Sequence, residues 1–170
     1  MRKSESGLRL SSYLFAVTIL ISSGLLMINF VDYIGLLNSM NEVNFSIDEM
    51  LVRPRDDEIE ITLVFLVSNP TAYTRLRFSS LQCQLYLITD GGEEYIGVTA
   101  YAPPIDVPLR PDEEASYEAF LSIRRSQNQF LAANLHTELS WRIRCVIHFS
   151  TPIRKYYQTL NFYPTSLAPT

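Results

Sequence analysis

Residues 58–68 read Glu58-Ile59-Glu60-Ile61-Thr62-Leu63-Val64-Phe65-Leu66-Val67-Ser68. Ile59, Ile61, Leu63, Phe65 and Val67 are apolar while Glu58, Glu60 and Thr62 alternate with them, the period of two that sets one face of a β-strand against a core. Val64 and Leu66 make the second face apolar near the strand's end, which predicts cover from a neighbouring segment. Upstream, Val43, Phe45 and Ile47 alternate with Asn44, Ser46 and Asp48, and a break around Arg53-Pro54-Arg55-Asp56 separates this strand from the next. Downstream, strands are expected at Leu76 to Thr89, Glu94 to Tyr101, Ala115 to Ile123, Glu138 to Ser150 and Lys155 to Tyr163. Asp90-Gly91-Gly92 supplies the φ-permissive residues of a tight hairpin. A phosphate-cradling loop would need a following helix start and a Lys-Ser/Thr pair, and neither is there. Thr151-Pro152 marks a second hairpin, and the proline-rich stretch from Pro103 to Pro111 is a rigid connection or a protected edge strand. Only Ser126 to His136 favours a short helix. The pattern predicts an all-β fold, an antiparallel sandwich of about seven strands and one short helix over residues 42–164, with a flexible tail at 165–170.

The amino-terminal part has a different character. The 22 residues from Leu10 to Val31 carry no charge, and as a helix they span about 33 Å, the thickness of a bilayer core. A cleaved secretory signal has a shorter apolar region ending in a small-residue site, whereas Ser22-Ser23-Gly24 sits in mid-run with Leu25-Leu26-Met27-Ile28 beyond it. The run therefore reads as an uncleaved transmembrane anchor within 10–37, behind a basic head at 1–9. Arg2, Lys3 and Arg9 precede the span, and Asp32 and Glu42 are the first charges after it, which predicts a cytoplasmic amino terminus and an extracytoplasmic carboxy-terminal domain. Tyr33 suits the headgroup belt, and Ser12 with Ala16, or Ser23 with Gly24, would let a partner helix approach closely. Mean hydropathy is +0.06 and formal net charge −4; the head carries +2 of this, leaving the remainder at −6. That balance argues against nucleic acid, which demands concentrated positive charge.

Chemistry-bearing residues are sparse. There are two histidines and two cysteines, without His-Glu-x-x-His, Gly-x-Ser-x-Gly or Cys-x-x-Cys. Cys145 and His148 with His136 suggest copper, but Cys145 and His148 face opposite sides of a strand and no methionine follows Met50 as an axial ligand. No metal, cofactor or catalytic residue is assigned. Trp141, Ile143, Cys145, Ile147 and Phe149 share one strand face, as do Leu81, Cys83, Leu85 and Leu87, so both cysteines point inward. They are either two buried thiols or a bridge between the sheets, closing a loop of about 63 residues and contributing roughly 4 kcal/mol in the chain-entropy model. Asn44-Phe45-Ser46 fits the N-glycosylation pattern, whereas Asn69-Pro70-Thr71 is excluded by its proline. The runs Asp56-Asp57-Glu58 and Asp112-Glu113-Glu114 read as solvated turns rather than calcium sites.

At Leu66-Val67-Ser68-Asn69-Pro70-Thr71-Ala72-Tyr73 the chain resembles the late-embryogenesis-abundant type 2 proteins, the water-stress-and-hypersensitive-response domain. There a hydrophobic strand ends in Asn-Pro and a second strand follows, here Leu76 to Tyr86. The resemblance covers about residues 42–163 and implies a seven-strand sandwich without catalytic residues, displayed behind a single span. Physically, Pro70 lacks a donor and holds Asn69 extended, which ends the ladder, and Asn69 can bond locally to fix the turn. The expectation is a non-enzymatic single-pass membrane protein whose sandwich contacts envelope, lipid or protein partners. The alternative is an accessory subunit of a larger membrane or filament assembly, since archaeal motility-stator proteins share the anchor-plus-sandwich plan.

Overall fold

A computed structural model of the chain describes residues 3–135, 137–151 and 155–166; for residues 3–10 and Ser166 it describes the backbone alone. The chain divides into two compact units, Met1–Asn41 and Glu42–Thr170. The first is built from the helix α1 (Lys3–Glu42), which contains the uncharged run and continues past the expected limit at residue 37. Every side chain from Ser11 to Val31 is exposed, and the helix is long and apolar enough to cross a membrane.

The second unit is antiparallel throughout its named sheets. Its strands are β1 (Asn44–Arg55), β2 (Glu58–Ser68), β3 (Arg77–Thr89), β4 (Gly92–Tyr101), β5 (Val107–Pro108), β6 (Glu114–Arg124), β7 (Leu139–Ser150), β8 (Lys155–Phe162) and β9 (Thr165–Ser166). One sheet has the order β1-β2-β6; the other runs β4-β3-β7-β8, with β5 added to β3 and β9 to β7. Seven strands are long, as expected, and the two short ones are additions. β5 shows that part of the proline-rich stretch is an edge element, and β9 takes Thr165 and Ser166 out of the expected tail by pairing them with Ser140 and Leu139. Residues 167–170, His136 and the Pro152 turn lie outside the described residues, as do Arg2 and the side chains of Lys3 and Arg9.

The break expected at Arg53-Pro54-Arg55 is not a break. β1 runs to Arg55 and turns only at Asp56, which has φ 36°. Pro54 is tolerated because β1 is an edge strand, where a missing N–H leaves no ladder bond unmade. A bulge between Ile47 and Glu49 moves the core face from Phe45 and Ile47 to Met50 and Val52. A second bulge, between Phe78 and Ser80, does the same on β3, where Phe78 is buried and the phase then passes to Leu81, Cys83, Leu85 and Leu87. One extra residue flips the side-chain parity, which is why a strict period of two does not run through either strand.

The core lies between the sheets. Ile59, Ile61, Leu63, Phe65 and Val67 from β2 face Trp141, Ile143, Cys145, Ile147 and Phe149 from β7, all of them essentially inaccessible. Ring contacts tie the layers together: Phe78 stacks on Tyr117 at 4.6 Å, Tyr101 lies 5.3 Å from Tyr117, and Phe45, stacked at 5.3 Å on Phe65 of its own sheet, lies 5.7 Å from Phe162 of the other. At one side of the sandwich Thr99 Oγ1 donates to Phe120 O at 2.7 Å, joining β4 of one sheet to β6 of the other. The expected cover over Val64 and Leu66 is no separate segment. Both are half-buried on the outer face of β2, with Glu49 and Glu118 beside Val64 and Ser46 and Ser116 beside Leu66 in register.

The Gly91-Gly92 turn joins β3 to β4, Gly92 having φ 121° and Thr89 Oγ1 donating to Gly92 O at 2.9 Å. The short helix expected within 126–136 is present as α2 (Gln129–Ala133), preceded by a 3-10 turn, Arg125–Gln127. Asn128 divides them: its Oδ1 accepts from Leu131 N at 2.7 Å as a helix cap, while its Nδ2 donates to Glu94 Oε1 at 3.1 Å.

Candidate functional site

Asn69 is fully buried at the end of β2, and its amide is saturated. Nδ2 donates to Tyr73 O at 2.9 Å and Leu109 O at 3.0 Å, and Oδ1 accepts from Thr71 N at 3.1 Å and Thr71 Oγ1 at 2.7 Å. Its backbone carbonyl accepts from Asp112 N at 2.8 Å, beside a parallel bridge to Pro111. Asn69 and Pro70 therefore end the strand and also anchor the far end of the proline-rich connection. An amide is required here because the surrounding backbone offers both acceptors and a donor. The motif is a structural clasp.

Cys83 and Cys145 are joined by a disulfide on the core face. Both point inward, but they are register partners on the neighbouring strands β3 and β7, so the bond lies within one sheet and does not link the two sheets. Strand order, which places β3 beside β7, is the reason. With both sulfurs in the bond, neither cysteine is a thiolate ligand. Among the described residues no group of three or more His, Cys, Asp or Glu is placed to hold a metal ion.

The acidic runs are engaged in local pairs. Arg55 Nε lies 2.9 Å from Glu60, Ser122 Oγ donates to Glu58 at 2.6 Å, and Arg110 Nε lies 3.8 Å from Glu113. A shallow groove lined by Arg55, Glu58, Glu60, Phe120, Leu121 and Ser122 contains the first two pairs. Asn44 is exposed at the start of β1 with Ser46 exposed beside it, opposite Ser68 and Leu66.

One carboxylate contact stands out at the β5 end of the large sheet, between half-exposed Asp106 and buried Ser150. The Ser150 hydroxyl donates to Asp106, and this bond, with Lys155 and Arg77 nearby, holds the Asp106 carboxyl below its ordinary value of 3.8. Burial pushes the Tyr117 hydroxyl above its ordinary value of 10.0, with Tyr101 and Glu113 adding to the effect. That hydroxyl has no hydrogen-bond partner among the described residues.

The outer face of the large sheet carries a cluster that the sequence reading did not assemble. The Arg142 guanidinium lies 4.4 Å from the Tyr86 ring centroid, and its terminal nitrogen is 2.6 Å from Glu93. Tyr86 lies 5.5 Å from Tyr95 and donates to Gln84 Oε1 at 3.2 Å. Further along, His148 and Tyr157 are register partners with rings 6.3 Å apart. Their strand parities were legible; the order β4-β3-β7-β8, which makes them neighbours, was not.

No family model matches the sequence, and no curated protein matches it. Among solved structures, the chain is similar in fold to a protein from Arabidopsis thaliana determined in solution, with TM-score 0.50 and 10% identity over 74% of this chain and 82% of that one. A crystal structure from Archaeoglobus fulgidus aligns with TM-score 0.48 and 10% identity, over 74% of this chain and 99% of that one. A candidate late embryogenesis abundant protein aligns with TM-score 0.41 and 10% identity, over 92% and 89%. Identities this low speak to fold alone.

Proposed function

We propose that the chain is a non-enzymatic, single-pass membrane protein that holds a sandwich of the late-embryogenesis-abundant type 2 kind outside the cytoplasm, where it acts through contacts with envelope, lipid or protein partners. The observation that carries this reading is the junction of two dissimilar units: a helix whose uncharged side chains from Ser11 to Val31 are all exposed, and a β-sandwich with its own core. Exposed apolar surface on this scale is stable in lipid and not in water. The basic residues ahead of the span support a cytoplasmic head, and the core disulfide supports an oxidising compartment for the sandwich.

The non-catalytic reading rests on what the polar side chains do. Asn69 and Asn128 hold backbone, Glu58 and Glu60 hold neighbouring strands, Glu93 reaches across β3 to Arg142 on β7, and Cys83 and Cys145 hold each other. The outer face bearing Tyr86, Tyr95, Arg142 and His148 is the surface offered to partners.

Native mass spectrometry of the full-length chain, extracted in mild detergent from its own membrane, tests the role. A stoichiometric protein complex or retained lipid is the expected result. A bare monomer with turnover of a small-molecule substrate by the purified protein contradicts it.

A further inference from the structure

In α1, Ser11, Thr18, Ser22 and Asn29 follow one another at separations of seven, four and seven residues. At about 100° per residue these four side chains fall within an arc of roughly 40°, a single lane along the helix. Phe15 and Leu25 complete the lane, and together the six residues fit the a and d positions of a heptad, with Phe15, Ser22 and Asn29 at a and Ser11, Thr18 and Leu25 at d. All are exposed. Leu20, Ile21, Met27 and Ile28, away from this lane, are apolar, and the off-lane Ser12 and Ser23 lie about 100–120° from it.

Two of the polar side chains bend back on their own helix. Thr18 Oγ1 donates to Leu14 O at 2.8 Å, which satisfies its proton, and Asn29 Nδ2 donates to Leu25 O at 2.8 Å. The Asn29 bond uses one of two amide protons and leaves Oδ1 without a partner among the described residues. In hydrocarbon an amide in that condition costs a few kcal/mol, because no water is there to complete it.

Resting on the membrane reading above, we propose that this lane is a helix–helix interface and that its occupant is the same helix of a second copy. The argument for a copy is complementarity at one depth. Chains inserted with one orientation place Asn29 at the same level, and a primary amide is its own complement: the free N–H of each can donate to the Oδ1 of the other across a twofold axis. Ser22, two turns away on the same lane, lets the backbones approach, and the 3.5-residue spacing gives a left-handed crossing. An unrelated helix would need its own matched amide at that depth.

Cysteine cross-linking of the full-length chain in intact membranes tests the assignment. Ser22→Cys lies on the lane, and Leu20→Cys lies about 180° from it; the native cysteines are consumed in their own bond. Under mild oxidation Ser22→Cys is expected to give a species of twice the chain mass and Leu20→Cys to give little. Adding Asn29→Leu to Ser22→Cys should lower the cross-linked fraction roughly three- to tenfold, and Asn29→Gln should restore it. Equal cross-linking at both positions, none at either, or a product containing a different protein overturns the proposal. An alkaline carbonate wash of the same membranes separates this from failure of the membrane reading itself: a chain that is washed off is not anchored, whereas one that stays but does not cross-link is anchored without a paired copy.

Discussion

Cys83 on β3 and Cys145 on β7 stand directly opposite each other, Cα atoms 4.1 Å apart, with their disulfide sealed inside the sandwich. Their strands are already paired from Arg77 with Ser150 to Ile88 with Ser140, so the bond reinforces a contact the backbone makes anyway. It acts mainly by restricting the unfolded chain. The variant Cys83→Ala/Cys145→Ala is therefore expected to keep its fold and lose roughly 2–4 kcal/mol. Chemical denaturation of both proteins checks the loss, and intact mass of untreated native protein checks that the wild-type thiols are absent.

Asn69 offers a sharper test of the strand-ending motif. Asn69→Ala removes the bonds that the fully buried amide makes to Tyr73 O, Leu109 O and Thr71 N, a loss of about 2–4 kcal/mol. Asn69→Asp keeps the shape but turns the donor into an acceptor facing two carbonyls, so at neutral pH it should be at least as damaging as alanine. Denaturation midpoints of the two variants measure both effects.

Tyr117 separates ring from hydroxyl. Its ring stacks on Phe78 in the core, whereas its hydroxyl is buried without a partner among the described residues. Tyr117→Phe is expected to be neutral or stabilising by up to about 1 kcal/mol, and Tyr117→Ala to cost about 3 kcal/mol or more. A thermal unfolding series across wild type and both variants decides this, and a loss on Tyr117→Phe would mean the hydroxyl is bonded.

The Asp106 carboxylate gives the fold an acid-side dependence. Its folded-state value is held below 3.8 chiefly by the Ser150 hydroxyl, so the stabilisation it provides is present above that value and disappears as pH falls through the lower folded value. Asp106→Asn and Ser150→Ala should both be less stable than wild type at about pH 6, with the gap closing toward about pH 2. A gap independent of pH removes Asp106 from this role.

How much of this was legible in the sequence depends on distance along the chain. Alternation at Ile59 to Val67, at Leu81 to Leu87 and at Trp141 to Phe149 placed three core strands and both inward cysteines, because parity is a local property. The bulges at Asp48 and Ser79 were hidden, since each is one extra residue whose register is set by a partner strand far away. Asn128 read as part of a helix because its cap is completed by Glu94, more than thirty residues earlier. The disulfide's placement within a sheet, and the Tyr86–Arg142 and His148–Tyr157 pairs, required the order of strands, which pairing fixes and composition does not. The Asn69 clasp was half visible: its turn is local, but its bond to Leu109 comes from the proline-rich connection.

The most direct measurement of the central claim uses the chain's two lysines, Lys3 in the head and Lys155 exposed on β8. Sealed cells are treated with an amine-reactive reagent that does not cross membranes, and the labelled peptides are read by mass spectrometry. An anchored chain with its sandwich outside the cytoplasm takes label at Lys155 and none at Lys3 until the membrane is opened. Label at Lys3 with Lys155 protected in sealed cells would contradict the account.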